Sequence, residues 1–327
     1  MSEALSAGFP GRLPLILIAG PTGVGKTALS LKLAERLETE IINADSMQVY
    51  RHMDIGTAKA TADERRRVPH HLLDVVEPSQ PFDAARYREL ALPVVEALHG
   101  RGRAPLVAGG TGLYMKALTQ GICPAPPVDP AVRDQLMREA TERGLSALHE
   151  ELCRVDPELG ARLHPNDRQR ILRAIEVFRV SGKPLSRWQE AHRFKERLFP
   201  TIKIFLTRNR EEVYARIDRR VLAMMEEGFL EEVSSLLAMG FGPELKPMQS
   251  LGYRQLVRHL RGELSIEAAV EEIQRETRRY AKRQMTWFRA DPEFRWMDAG
   301  EAEGVFEWVE EAMRKILRKA RHIRFGE

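Results

Sequence analysis

Short apolar runs alternate with stretches of helical period over the first 120 residues. Residues 13–19 (LPLILIA) form an unbroken apolar run of strand length, and residues 28–37 (ALSLKLAERL) recur with the period of a helix. EIINADS (40–46) predicts a second strand ending in Asp45, HLLDVV (71–76) a third and APLVA (104–108) a fourth. Residues 84–99 and the LYMKALTQG segment (113–121), with its glycine stop, predict helices. This alternation predicts an α/β fold, a doubly wound parallel sheet. The pattern breaks at Pro124-Ala125-Pro126-Pro127, and residues 128–195 are then charged and helical with no strand alternation. IKIFLT (202–207) returns to a strand, and from Glu211 the chain is mostly helical. The simplest organisation is a core begun by residues 1–127, an inserted helical module over 128–195, and residues 196–327 completing the core with a helical C-terminal part.

Between the first strand and the first helix stands Gly20-Pro21-Thr22-Gly23-Val24-Gly25-Lys26-Thr27, a complete G-x-x-x-x-G-K-[ST] loop of the kind found in ATP-binding proteins. Its glycines let backbone N–H groups wrap an oligophosphate, and the following helix adds the partial positive charge of its N-terminus. Lys26 is placed to neutralise the phosphates and the Thr27 hydroxyl to hold Mg²⁺. The motif says that a phosphate chain binds here, not that it belongs to a nucleotide. Nucleotide-hydrolysing relatives usually carry a second apolar strand ending in a metal-binding Asp. Here APLVA ends in Gly109-Gly110 with no acid; Asp74 could serve as that metal-binding acid but lies in the middle of HLLDVV.

Asp45 falls where open parallel sheets bind their ligands, outside the strand ends. A carboxylate there serves either as a general base beside the phosphates or as an ordinary capping residue of the Asp45-Ser46 turn.

The chain has 327 residues and a formal net charge of +4. Cys123 and Cys153 are its only cysteines and lack zinc-ligand spacing, which fits a reducing, cytoplasmic setting. No apolar run approaches the roughly 18 residues of a membrane span, and MSEALSAGFPGR lacks the build of a secretory signal, so a frayed leader is expected. Basic charge is concentrated instead. Residues 161–200 carry ten Lys/Arg against four Asp/Glu, including Arg168, Arg170, Arg173 and Arg179 on an amphipathic helix whose apolar stripe is Ile171, Leu172, Ile175 and Phe178. A solvated face or a contact with a phosphate backbone both fit.

A second basic stretch, 275–289, places Tyr280 and Trp287 on one helical face, where core packing is the favoured role, with its cations left open. Any of Arg216, Arg219 and Arg220 could reach back to the phosphates, or pair with Asp218, Glu226 or Glu227. Residues 305–317 are amphipathic, and a frayed basic tail (Arg318, Lys319, Arg321, Arg324) is expected after them.

Taken in order, GPTGVGKT, NADSMQVYRHMDIGTAKAT, PHHLLDVVEPSQPFDAARY, LVAGGTGLYMKAL, HPNDRQRILRAIEVFRVSGKPLS, SLGYRQL and TRRYAKRQMTWFR resemble the tRNA dimethylallyltransferases over nearly the whole chain. With no zinc-finger ligands in its C-terminal part, the chain looks like the bacterial form. The resemblance implies a P-loop NTPase-like parallel sheet with an inserted tRNA-binding module. It also implies transfer of a dimethylallyl group from dimethylallyl diphosphate to the exocyclic amine of the adenine just 3′ of the anticodon.

By the same resemblance Asp45 is the base, in a segment with Ser46, Met47 and Gln48 that contacts the adenine. Thr111 lies near the reacting groups, and Lys26, Thr27 and Arg220 hold the diphosphate with Mg²⁺ bridging. Arg133, the run Gln169, Arg170, Ile171, Leu172, Arg173, and the run Gln249, Ser250, Leu251, Gly252, Tyr253, Arg254 match tRNA contacts in the anticodon stem-loop complex. A monomer that acts without a membrane is expected. A small-molecule kinase would use the same loop for ATP, and an RNA-binding switch would use it without catalysis. Neither accounts for both the basic insert and Asp45.

Overall fold

The strand that carries the phosphate loop is central and buried. In the computed structural model, which describes residues 12–193 and 196–325, β1 (Leu15–Ala19) has every residue buried. It is followed by α1 (Lys26–Arg36), β2 (Ile41–Asn43), α2 (Ala62–Arg67), β3 (His70–His71), α3 (Ala84–Gly100), β4 (Leu106–Gly109) and α4 (Gly112–Gln120). After five helices, α5 (Pro130–Glu142), α6 (Gly144–Val155), α7 (Pro157–Arg162), α8 (Arg168–Ser181) and α9 (Leu185–His192), comes β5 (Thr201–Thr207). Then follow α10 (Arg210–Glu226), α11 (Phe229–Ala238), α12 (Tyr253–Leu260), α13 (Ile266–Arg289), β6 (Arg295–Asp298) and α14 (Ala302–Phe325). The chain forms two compact units, one of residues 1–119 with 197–327 and one of residues 120–196.

In the first unit the six strands lie in the order β3-β2-β4-β1-β5-β6, all parallel. β1 pairs with β4 on one side (Ile18 opposite Ala108) and β5 on the other (Ile18 opposite Ile204). Helices covering both faces explain why β1 and β5 read as unbroken apolar runs rather than alternating ones. Each fully buried Leu or Ile contributes about 1.5–3 kcal/mol, which anchors β1 as the fixed floor of the phosphate loop. From β1 the chain passes to β2 on one side of it, and after β4 it crosses to β5 on the other, so a switch point opens above the C-terminal end of β1.

The second unit packs α5 to α9 around Leu136, Leu148, Leu152, Ile171, Leu172 and Ile175. Arg179 of α8 ties α5 and α6 together, donating to Glu139 and Glu151 at 2.8 Å.

The structure departs from the sequence expectations in four places. HLLDVV is not a strand: β3 is two residues long, because Leu72 (φ 62°) and Asp74 (φ 56°) turn left-handed and end the extended chain. β2 stops at Asn43, so Asp45 stands in the loop beyond it. β6 (RWMD) was not expected, since its end residues are exposed and give no apolar run. α14 runs on to Phe325 where a frayed tail was expected; the side chains of Arg321 and Arg324, and the leader at residues 1–11, lie outside what is described.

Gly109 ends β4 directly under the chain leaving β2. A Cβ on Gly109 would lie 2.2 Å from the Ala44 carbonyl oxygen, a backbone atom that cannot swing away. Gly109→Ala should therefore lower unfolding free energy by about 1–3 kcal/mol or more, read from urea melts. A melt unchanged from wild type would show that the two segments are free to separate.

Candidate active site

The phosphate loop leaves β1 at Gly20 and enters α1 at Lys26, with Gly23 (φ 82°) and Gly25 (φ 107°) in the left-handed region that glycine adopts without strain. Gly20, Pro21 and Val24 are buried beneath the loop, while Thr22, Gly23, Gly25, Lys26 and Thr27 line a cavity of about 830 Å³. Lys26 Nζ donates to the Gly20 and Pro21 carbonyls at 2.8 and 2.9 Å. Burial pulls its pKa down to about 8, partly countered by the Asp45 carboxylate and reinforced by Arg220. The Thr27 side chain, in the first turn of α1, has no hydrogen-bond partner among the described residues. No cluster of three or more His, Cys, Asp or Glu side chains suited to a metal occurs among them. One hydroxyl beside a phosphate-binding loop fits Mg²⁺, which takes few protein ligands and fills the rest of its shell with phosphate oxygens and water.

Three long-range contacts hold the loop from outside. Arg216 Nε donates to Gly23 O at 2.8 Å, and an Arg220 guanidinium N–H reaches Thr22 Oγ1 at 3.4 Å. Gln284 of α13 accepts from Thr22 N at 3.0 Å and donates to Gly110 O at 3.2 Å. The structure thus brings both Arg216 and Arg220 to the loop, while Arg219 is exposed on the cavity wall. Asp218, the expected competitor for these cations, is held by Arg278 at 2.5 Å. Burial lowers the Arg220 pKa against the pull of Asp45 and Glu227.

Asp45 has the geometry of a turn cap and also faces the cavity. One carboxylate oxygen accepts from Met47 N at 2.8 Å, as a turn-capping Asp does. The other has no partner among the described residues, and Asp45 lines the cavity. Asn43 Oδ1 accepts from Asp45 N at 3.1 Å, and Thr111 Oγ1 accepts from Ser46 N at 3.0 Å. Thr111 therefore stands behind Ser46 and bears on the cavity through it. Asp74, considered above as a metal-binding acid, is instead bound by Lys59 at 2.6 Å and Arg65 at 2.8 Å.

The run Gln249–Arg254 lines the same cavity, as do Ser46, Met47 and Gln48. Gln48 Nε2 donates to the Thr57 and Ala58 carbonyls at 3.1 Å, fixing that wall. Behind it Glu232 accepts from Asp54 N and Ile55 N at 2.7 Å, Gly56 N at 3.1 Å and Tyr253 Oη at 2.6 Å. Tyr280 is not core, as its helical stripe implied, but lines the cavity half-buried. Burial and the Asp45 charge raise its pKa, so it remains a neutral phenol. Trp287, also expected in the core, is 37% exposed with its ring against Gly112.

Arg133 and Gln169–Arg173 belong to the second unit and are described within it. Gln169 and Arg170 are exposed, as is neighbouring Arg168, whereas Ile171 and Leu172 are core and offer no side chain to a partner. Arg133, on α5, is half-buried. Arg173 is committed at 2.9 Å to the fully buried Glu176. Arg216 is one of the three cations that the sequence offers, without a choice among them; Glu232 carries no motif signal, and Gln284 carries no assigned role. Gln284 falls inside the TRRYAKRQMTWFR segment, which at least marked its helix.

Residues 48–291 match a family model described as IPP transferase. The chain is 65% identical over 314 residues to the tRNA dimethylallyltransferase of Syntrophobacter fumaroxidans, covering 93% of this chain and 92% of that one. Among solved structures it is similar to the full-length tRNA isopentenylpyrophosphate transferase of Bacillus halodurans. That match has a TM-score of 0.71 and 36% identity, covering 95% of this chain and 100% of that one. It is also similar to a eukaryotic dimethylallyltransferase acting on tRNA, with a TM-score of 0.75 and 30% identity over 88% of this chain and 74% of that one.

Lys26 carries its charge below pH 8 and loses it above. The dissociation constant for inorganic pyrophosphate should therefore rise roughly tenfold per pH unit above about 8. Lys26→Arg, charged throughout, should flatten that rise. Parallel calorimetric pH profiles for the two proteins would separate Lys26 from the phosphates.

Proposed function

The chain belongs to the IPP transferase family and is a tRNA-modifying prenyltransferase, and on that footing we propose a specific reaction. A dimethylallyl group passes from dimethylallyl diphosphate to the N6 amine of the adenine 3′-adjacent to the anticodon, and diphosphate is released. The observation that carries this reading is one cavity bounded by both the phosphate loop and the unpaired oxygen of Asp45. Its volume, about 830 Å³, lies within the range of small-molecule sites.

An exocyclic adenine amine is a poor nucleophile, and diphosphate leaves well only when its growing charge is met. The N6 lone pair attacks the allylic carbon as the carbon–oxygen bond breaks, and that electron pair departs with the diphosphate. Asp45 takes the proton that the amine sheds. Lys26 and Arg220 meet the charge on the leaving group, with Arg216 steadying the loop between them. Thr27 is the side chain that would hold Mg²⁺, which when bound neutralises phosphate charge. The adenine must leave its stack to reach Asp45, as bases do in other base-modifying enzymes. Arg133, Arg168, Gln169 and Arg170 in the second unit are assigned to the anticodon stem-loop. The first unit supplies the donor site from one chain, which supports action as a monomer. No helix among the described residues is long and apolar enough to cross a membrane, and a tRNA substrate supports a cytoplasmic setting. ATP is not a substrate: Asp74, the acid that a second metal motif would need, is committed to Lys59 and Arg65.

Label from dimethylallyl diphosphate should appear in unmodified tRNA incubated with the protein and Mg²⁺. Steady tRNA-stimulated ATP turnover without transfer would replace this reading with a kinase. Asp45→Asn keeps the Met47 cap but takes no proton, so single-turnover transfer should fall about 10²–10⁴-fold with tRNA affinity within a fewfold. A normal rate in that variant makes Asp45 a cap and nothing more.

A double Arg168→Ala/Arg170→Ala variant should weaken tRNA binding and lower the salt slope by up to about two counterions, leaving pyrophosphate affinity as it was. Unchanged salt dependence would remove α8 from the interface.

A further inference from the structure

The phosphate loop and the turn after β4 come from segments far apart in the chain, and the buried side chain of Gln284 bridges them. The phosphate loop follows β1, and the Gly109-Gly110-Thr111 turn follows β4. Gln284, on α13 and only 6% exposed, accepts from Thr22 N at 3.0 Å with its Oε1 and donates to Gly110 O at 3.2 Å with its Nε2. The two ends of an amide differ, so this pair of partners fixes its orientation. The fit is tight: a Cβ on Gly110 would lie 2.2 Å from Gln284 Nε2. α13 is itself anchored to α10, where Gln274 Nε2 donates to Asp218 O at 3.2 Å and Arg278 holds the Asp218 carboxylate. Phe288 and Ala281, one turn to either side of Gln284, are buried, so the amide is held on a rigid helix.

The connection continues past Gly110. Thr111 N donates to Ala44 O at 3.0 Å, and Thr111 Oγ1 accepts from Ser46 N at 3.0 Å. Those contacts grip the residues on either side of Asp45. A chain of hydrogen bonds therefore runs from the phosphate loop through Gln284 and Thr111 to the backbone around Asp45.

We propose that Gln284 is a positioning residue that sets the spacing between the diphosphate site and Asp45. This rests on the transfer reaction given above, where the amine that Asp45 orients and the leaving diphosphate must face opposite sides of one carbon. Gln284 enters the chemistry by holding the loop and the turn in register. An error of about 1 Å in such a spacing costs up to about 10²-fold in rate while leaving each site able to bind.

The test uses the full chain with two neutral variants. Gln284→Met keeps the length and loses both hydrogen bonds. Gln284→Asn keeps the amide but is one methylene too short to span both partners, and it serves if the Met variant melts early. In each, single-turnover transfer should fall about 10- to 100-fold, while dissociation constants for pyrophosphate and tRNA, measured separately, stay within about threefold. Amide exchange in the peptide spanning residues 20–25 should quicken. Thr111→Val acts on the same chain of bonds, so adding it to Gln284→Met should slow transfer by no more than about threefold beyond the slower single variant.

Rates equal to wild type, multiplicative effects in the double variant, or affinity losses that match the loss in rate would each overturn the proposal. No transfer by the wild type would overturn the reaction and with it the kinetic role of Gln284. Unchanged exchange at residues 20–25 would overturn the tie itself, whatever the reaction.

Discussion

The closeness of two backbone segments at the C-terminal edge of the sheet governs what stands above it. Ala44 N donates to Ala108 O at 2.8 Å, and Ala44 O accepts from Thr111 N at 3.0 Å, so the chain leaving β2 is clipped across the end of β4. A glycine at 109 is what lets the backbones approach so far. Because β4 lies between β2 and β1 in the sheet, the same clip sets where Asp45 stands relative to the loop that leaves β1. The P-loop NTPase-like sheet thus does more than carry a motif. Its strand order places a carboxylate-bearing turn two strands from a phosphate-binding one, and hydrogen bonds at the strand ends keep that separation constant.

Charge within the cavity is arranged asymmetrically. Lys26, Arg216 and Arg220 converge on the phosphate loop, and the Asp45 charge is felt by Lys26, Arg220 and Tyr280 alike. Burial makes the charges of Lys26 and Arg220 costly to keep and lowers the pKa of both. A polyanion at the loop is the kind of ligand that offsets such a cost. In the second unit the guanidinium groups divide differently. Arg173 and Arg179 hold the helices together through Glu176, Glu139 and Glu151, and Arg168 and Arg170 remain on the surface.

What could be read from the chain follows from how far apart the partners lie in sequence. The phosphate loop, Asp45 and the Gly-Gly-Thr turn are each made by consecutive residues, so motif and local pattern found them. Gln284 and Glu232 reach partners 262 and about 177 positions away, and no local pattern encodes such pairs; Arg216, 193 positions from Gly23, stood among three equivalent candidates for the same reason. Tyr280 reads as core because a face that lines a cavity and a face that packs a core share one helical period. HLLDVV reads as extended because apolar content does not report φ, and Leu72 and Asp74 are left-handed. β6 escaped notice because an edge strand needs no continuous apolar run.

The carboxylate of Glu232 sits in a cradle of three successive backbone N–H groups, at Asp54, Ile55 and Gly56. Such a cradle is elsewhere a docking point for free anions. Here the anion is tethered, so its local concentration is set by covalent geometry and no buffer ion competes with it on equal terms. Surface contacts between Arg168, Arg170 and a nucleic acid would fade as ionic strength rises, but the cradle's order is carried by the polypeptide alone. Rising ionic strength therefore leaves the wall formed by Gly56 and Tyr253 its shape.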